Sequence, residues 1–158
     1  MLIKKKIKKN NKGFSLAEVL TTLAIIIIIA LVTAPAMKQY FNNLQLNNSA
    51  KYLISNLRLA QQYTVTQQKK HAIRMELWNN TYYLVKKEPV EEILQTFSLK
   101  NGTIFSSFSG LQNNEAVYNA SGAVDYSGEV YLEHQASGHQ TKILIKPSGY
   151  VTWEVYNP

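Results

Sequence analysis

Residues Lys12 to Met37 read KGFSLAEVLTTLAIIIIIALVTAPAM, and this stretch decides the architecture. From Val19 to Met37 it holds 19 residues without a charge. A helix of about 20 apolar residues crosses the hydrocarbon of a bilayer, so a single membrane-spanning helix is expected here. One carboxylate, Glu18, stands at its N-terminal end. Residues 1–13, MLIKKKIKKNNKG, carry Lys4, Lys5, Lys6, Lys8, Lys9 and Lys12 and no acid. A lysine-rich flank stays on the cytoplasmic side, which places the remainder of the chain outside the plasma (inner) membrane.

The charge balance follows from the same leader. The formal net charge of the 158 residues is +7, from 17 basic and 10 acidic side chains. Six of the basic residues lie before Gly13, so eleven face ten acids over everything that follows. A nearly neutral chain lacks the cationic field that phosphate backbones require, and DNA is not expected as a partner. The absence of cysteine removes disulfides, thiolate metal sites and cysteine nucleophiles.

Beyond Met37 the composition turns polar while a helical period persists. Leu46, Ala50, Leu53, Leu57, Ala60 and Thr64 recur at spacings of four and three, one face of an amphipathic helix. No glycine falls between Gly13 and Gly102, so one helix is predicted from Phe14 to about Gln68, with Pro35 loosening it where a backbone donor is lost. From residue 69 the period becomes two. Strands are predicted at Ala72–Leu77, Tyr82–Lys86, Ile93–Leu99, Thr103–Phe108, Ala116–Asn119, Glu129–His134, Lys142–Lys146 and Tyr150–Tyr156. Lys146-Pro147-Ser148-Gly149 is a tight-turn sequence, so the last two strands should form a hairpin. The expected fold is α+β: a long N-terminal helix, transmembrane then amphipathic, packed against an antiparallel β-rich globular head. The expected divisions are a leader at 1–13, a membrane half-helix at 14–37, an amphipathic half-helix at 38–68 and a head at 69–158.

The run Lys12-Gly13-Phe14-Ser15-Leu16-Ala17-Glu18-Val19-Leu20 strongly resembles the class III signal sequence of type IV prepilins and type II secretion pseudopilins. The resemblance implies that a prepilin peptidase cuts between Gly13 and Phe14, that the new amino terminus of Phe14 is methylated, and that Glu18 is the assembly carboxylate. Pro35 falls where that family's helix often carries a proline. Physical reasons accompany each element. Gly13 has no Cβ to obstruct a protease cleft. A carboxylate buried in a membrane helix costs about 2.5–3.5 kcal/mol on insertion scales and marks function. An ordinary secretory signal, cut near Ala34-Pro35-Ala36, is the rival reading. Against it stand the Gly-Phe pair, Glu18 and the amphipathic helix that runs straight on.

The passage from Leu57-Arg58-Leu59-Ala60-Gln61-Gln62 directly into strands, and the ending Ile143-Leu144-Ile145-Lys146-Pro147-Ser148-Gly149-Tyr150-Val151, look like H-type minor pseudopilins, related minor pilins and minor competence pseudopilins. The implied function is that of a minor subunit of a type IV pilus-like or type II secretion pseudopilus filament, in an initiation or tip role. A competence pseudopilin, or a pilus-borne receptor for DNA or surfaces, is the alternative. Implied partners are the prepilin peptidase, other pilins, the inner-membrane platform protein and membrane lipid.

Enzymatic signals are thin. His71, His134 and His139 are the only histidines and Asp125 the only aspartate. Glu133, His134 and His139 lie around a turn glycine and do not form a convergent metal set, so no metal or other cofactor is expected. The aromatic residues near Lys86, Lys87, Lys142 and Lys146 are read as core and cross-strand residues rather than as a base-stacking platform.

Overall fold

The computed structural model describes residues 13–100 and 102–156. The leader lysines, Lys4 to Lys12, lie outside the described residues. Helix α1 spans Leu16–Gln67, against the expected start at Phe14 and end near Gln68, and it includes Pro35. Two compact units divide between Lys38 and Gln39.

In the first unit the helix is apolar all round, with a mean hydropathy of 2.5 over its most apolar window, and that window has no residue buried within the chain. By length and composition it can cross a bilayer. Its hydroxyls are satisfied locally. Thr21 and Thr22 each donate to the Glu18 carbonyl at 3.0 Å, and Thr33 donates to the Ile29 carbonyl at 3.0 Å. Such back-bonding lets threonine sit in an apolar helix without an open donor.

The second unit contains eight strands: β1 His71–Met75, β2 Thr81–Lys86, β3 Glu92–Ser98, β4 Thr103–Ser109, β5 Glu115–Tyr118, β6 Gly128–His134, β7 Gln140–Ile145 and β8 Val151–Tyr156. Each predicted strand is present within a few residues. All pairings are antiparallel, and the strands divide into two four-stranded sheets, ordered β3-β2-β1-β5 and β4-β6-β7-β8. The hairpin predicted from Lys146 to Gly149 is the β7–β8 connection, in register with Ile145 opposite Val151.

The predicted stripe of α1 is its buried face. Leu53, Leu57, Ala50 and Ala60 are fully buried, joined by Leu46, Ile54 and Thr64. They share one core cluster with Ile73, Tyr82, Leu84 and Ala116 of one sheet and Phe105, Leu132, Ile143 and Ile145 of the other. The core is therefore a helix clasped by two sheets, and truncating a leucine such as Leu53 to alanine belongs to the class that costs about 2–5 kcal/mol.

Several polar groups admitted to this core are paired, while the Tyr118 hydroxyl, His71 Nε2 and the Thr141 hydroxyl have no partner among the described residues. Asn56 Nδ2 donates to the Tyr82 hydroxyl at 2.7 Å, and both residues are buried. Burial is the main cause that pushes the Tyr82 phenol well above its ordinary range. The backbone N–H of Lys100 donates to Ser49 Oγ at 3.2 Å, which itself lies 3.3 Å from Thr103 Oγ1. Replacing Asn56 by alanine removes the Tyr82 partner and is expected to cost about 1–3 kcal/mol, the range for stranding a buried polar group. Chemical denaturation of the variant should show a lower midpoint with unchanged slope. An unchanged midpoint would contradict the pairing.

Candidate functional site

The sequence-predicted residues Gly13, Phe14 and Glu18 lie together at the start of α1. Gly13, Phe14 and Ser15 precede the helix, and Ser15 caps it: its carbonyl accepts from the N–H of Glu18 at 3.0 Å and of Val19 at 3.2 Å. Ser15 Oγ also accepts from the Ala17 N–H at 3.3 Å. This capping role was not anticipated, although the spacing Ser15-Leu16-Ala17-Glu18 is the S-x-x-E pattern of a capping box and signals it. In a full box the glutamate would reach back to the serine N–H. Among the described residues the Glu18 carboxylate makes no hydrogen bond and no ion pair. Its position in the first turn places a negative charge at the positive end of the helix dipole.

The surroundings of Glu18 are apolar and open. Phe14 is 84% exposed, and Phe14, Glu18, Val19 and Thr22 line one shallow recess. The next apolar residues, Leu23 and Ile25 to Ile29, are all exposed as well. An apolar helix that exposes its whole circumference needs a second medium or a second molecule, because water is a poor environment for it. Pro35 lies a dozen residues further on inside α1, where it deprives the Leu31 carbonyl of its usual donor.

The other polar groups of the chain serve the fold. His134 is buried, with Nε2 facing Gln45 Oε1 at 3.3 Å and Nδ1 facing Ser137 Oγ at 3.3 Å. Burial, then the neighbouring His139, holds its pKa below the ordinary imidazole value. His139 Nδ1 contacts the side-chain oxygen of Asn43. Gln140 Nε2 donates to Glu133 at 3.0 Å. The contacts to Gln45 and Asn43 tie the β6–β7 turn to α1. Among the described residues no group of three or more His, Cys, Asp or Glu is placed to hold a metal ion.

A charged network crosses the first sheet. Glu115, buried on β5, accepts from Arg74 at 2.5 Å and from Lys87 at 2.8 Å, and the same two cations reach Glu91 at 2.5 and 2.7 Å. Hydrogen bonds from Lys87 and Arg74 hold the Glu91 carboxyl at about 2. The aromatic residues divide. Tyr82 and Tyr118 are buried, Tyr83 donates to Glu76 and Tyr131 to Glu129, while Tyr126 and Tyr150 are exposed.

Residues 8–34 match the prokaryotic N-terminal methylation motif. The head resembles two kinds of solved structure. The minor pseudopilin EpsH from the type 2 secretion system of Vibrio cholerae is 13% identical with a TM-score of 0.58, over 70% of this chain and 97% of that one. The type IV minor pilin FimU of Pseudomonas aeruginosa is 12% identical with a TM-score of 0.56, over 73% of this chain and 92% of that one. No curated protein sequence matches the chain significantly.

Proposed function

Because this chain is pilin-like, with the methylation motif at its N-terminus and the fold of minor pseudopilins and minor pilins, we propose that it is a filament subunit assembled through Phe14 and Glu18. A prepilin peptidase cuts between Gly13 and Phe14 and the new terminus is methylated. Until assembly the apolar half of α1 holds the subunit in the plasma (inner) membrane, with the head on the outer side. During assembly the helix leaves lipid for a bundle of like helices, guided by the platform protein. There the Glu18 carboxylate meets the Phe14 amine of a neighbouring subunit, and Pro35 eases the packing of adjacent helices. The subunit acts at initiation or at the tip of a secretion pseudopilus or pilus.

One observation carries this reading: a carboxylate without a partner among the described residues, on an exposed apolar helix, one turn from the matched motif's Phe14. Within one helix the backbone keeps Glu18 apart from its own terminus, so the pairing is available only in a polymer and only after cleavage. That order of events prevents precursors from joining the fibre.

Mass spectrometry of the membrane-extracted protein is expected to find a chain that begins at Phe14 and is heavier by one methyl group. A mature chain beginning at Met37 would establish secretory cleavage instead and end the assembly reading.

A further inference from the structure

We propose that His134 and His139 form an acid-sensitive clasp, which fastens the β6–β7 turn to the first turns of α1 within the head and opens when the two imidazoles become charged. The clasp goes beyond the assembly reading, which supplies only the outward location where external acid reaches it.

The turn has few other ties. Ser137 and Gly138 donate their N–H groups to the His134 carbonyl at 3.1 and 2.8 Å, which closes the turn on itself. Nothing lies within 4 Å of a Cβ built at Gly138, so the tip is open. Toward β4, the Gln135 N–H donates to the Gly102 carbonyl at 2.8 Å. Toward the helix, the two histidines make the contacts: His134 Nε2 with Gln45 Oε1 at 3.3 Å and His139 Nδ1 with the Asn43 side-chain oxygen. Packing beside them is loose. A cavity of about 220 Å³ is lined by Asn43, Leu46 and Asn47 of α1 and by His139, Thr141 and Val155 of the sheet. The Thr141 hydroxyl is buried and has no partner among the described residues. A seam with room for water and an unmade hydrogen bond is a place where local opening costs least.

Charge is what the seam cannot accommodate. Gln45, Ser137 and Asn43 each present an oxygen to a ring nitrogen, so protonation leaves the hydrogen bonds a partner. The cost is the burial of the charge itself. His134 is 3% exposed, and a buried charge needs an opposite one. None faces it among the described residues. Asn43 and Gln45 from α1, Gly102 and Thr103 at the start of β4, and Ser137 in the turn are all uncharged. Glu133 takes the other face of β6, where its carboxylate accepts from Gln140. The Lys100 ammonium lies over the Tyr52 ring. The titratable neighbour that bears on His134 is His139, a like charge once protonated.

Burial, then His139, holds the His134 imidazole below its ordinary value of 6.5. The closed turn therefore binds fewer protons than the opened one. Closure is undisturbed above about pH 6.5 and weakens as the pH falls from there toward the lowered value. Opening returns both rings to water and frees α1 from the turn at Asn43 and Gln45, close to where the second compact unit begins at Gln39.

Hydrogen exchange of the full-length chain in detergent micelles, read by mass spectrometry and corrected for the intrinsic effect of pH, tests the clasp. Between about pH 7.5 and about pH 5, protection of residues 135–139 is expected to fall about tenfold, while β1 and β2 keep theirs. His134→Gln should abolish the fall, and His139→Gln, which removes only the second charge, should shrink it. His71→Gln, at the other end of the helix contact beside Thr64 and Lys69, should leave it unchanged. Gln45→Glu sets a carboxylate opposite His134 Nε2 and should invert the response, so that the turn is better protected in acid. Equal protection of the parent's turn at both pH values would overturn the proposal. So would an equal loss in β1 and β2, which is general acid unfolding, or a fall that persists in both His134→Gln and His139→Gln. Filament assembly enters none of these measurements, so their failure leaves the assembly reading standing.

Discussion

A chain carrying Glu18→Val is expected to insert and be cleaved like the parent and yet to be missing from filaments and from complexes with partner pilins. The substitution removes a charge from the N-terminal end of a membrane helix, where its cost lies below the roughly 2.5–3.5 kcal/mol of the helix centre, so insertion becomes no harder. Folding of the head should not change, because Glu18 belongs to the other compact unit of the chain; the carboxylate has no hydrogen-bond or ion-pair partner among the described residues. The Ser15 cap is also retained, since it uses only the Glu18 backbone N–H. What the variant loses is the charge that would meet the neighbour's amine in a medium of low dielectric, where a lone amine left unpaired is costly. Cross-linking or two-hybrid assay with partner pilins reads the loss. Assembly at the parental level would reduce Glu18 to a residue that merely favours the helix N-terminus.

The largest stability effect in the head is expected at Gly149. This residue has φ +80°, and a Cβ built on it would lie 2.0 Å from the Gly122 carbonyl oxygen and 2.5 Å from Gln61 Nε2. Gln61 donates to that same carbonyl at 2.6 Å, and the Val124 N–H donates to the Pro147 carbonyl at 3.2 Å. The β7–β8 turn, the loop after β5 and the helix thus meet at a point with no room for a methyl group. Gly149→Ala combines left-handed backbone strain of about 1–3 kcal/mol with overpacking of similar size, against backbone that cannot swing aside. Thermal denaturation should show a fall of about 10 °C or more. Gly138 provides the control: it too has positive φ, at +66°, but nothing lies within 4 Å of a Cβ there. Gly138→Ala should show the backbone component alone. Equal falls at the two positions would mean that the crowding at Gly149 contributes nothing.

The elements of this fold were legible because each has its own period. Leu46 to Thr64 repeat at four and three, and their burial follows that repeat residue by residue. Strands such as Gly128–His134 alternate, and Val130, Leu132 and His134 are the buried members. The turn at Pro147 and Gly149 announced the last hairpin. Pairing was not legible. Nothing in the sequence around Glu115–Tyr118 says that β5 skips three strands to lie beside β1, because alternation specifies a face and not a neighbour. Nor does it say that eight strands divide into two sheets. The junction of Gln61, Gly122 and Gly149 was hidden for the same reason, since its members are nearly ninety residues apart in sequence. At the N-terminus, Gly13, Phe14 and Glu18 could be singled out from their order alone. The Ser15 cap was written there equally plainly in the spacing to Glu18.

The way α1 is held in the head also sets how the head resists tension. A pull on the chain at Gln39 acts along the axis of a helix whose knobs, from Leu46 to Thr64, are lodged between two sheets. Sliding that helix out must dislodge all of them together, a shearing load, whereas peeling a terminal strand would release contacts one after another. The head is thereby built to bear force applied from its anchor end, and its lifetime under load is governed by the rate of that single concerted rupture.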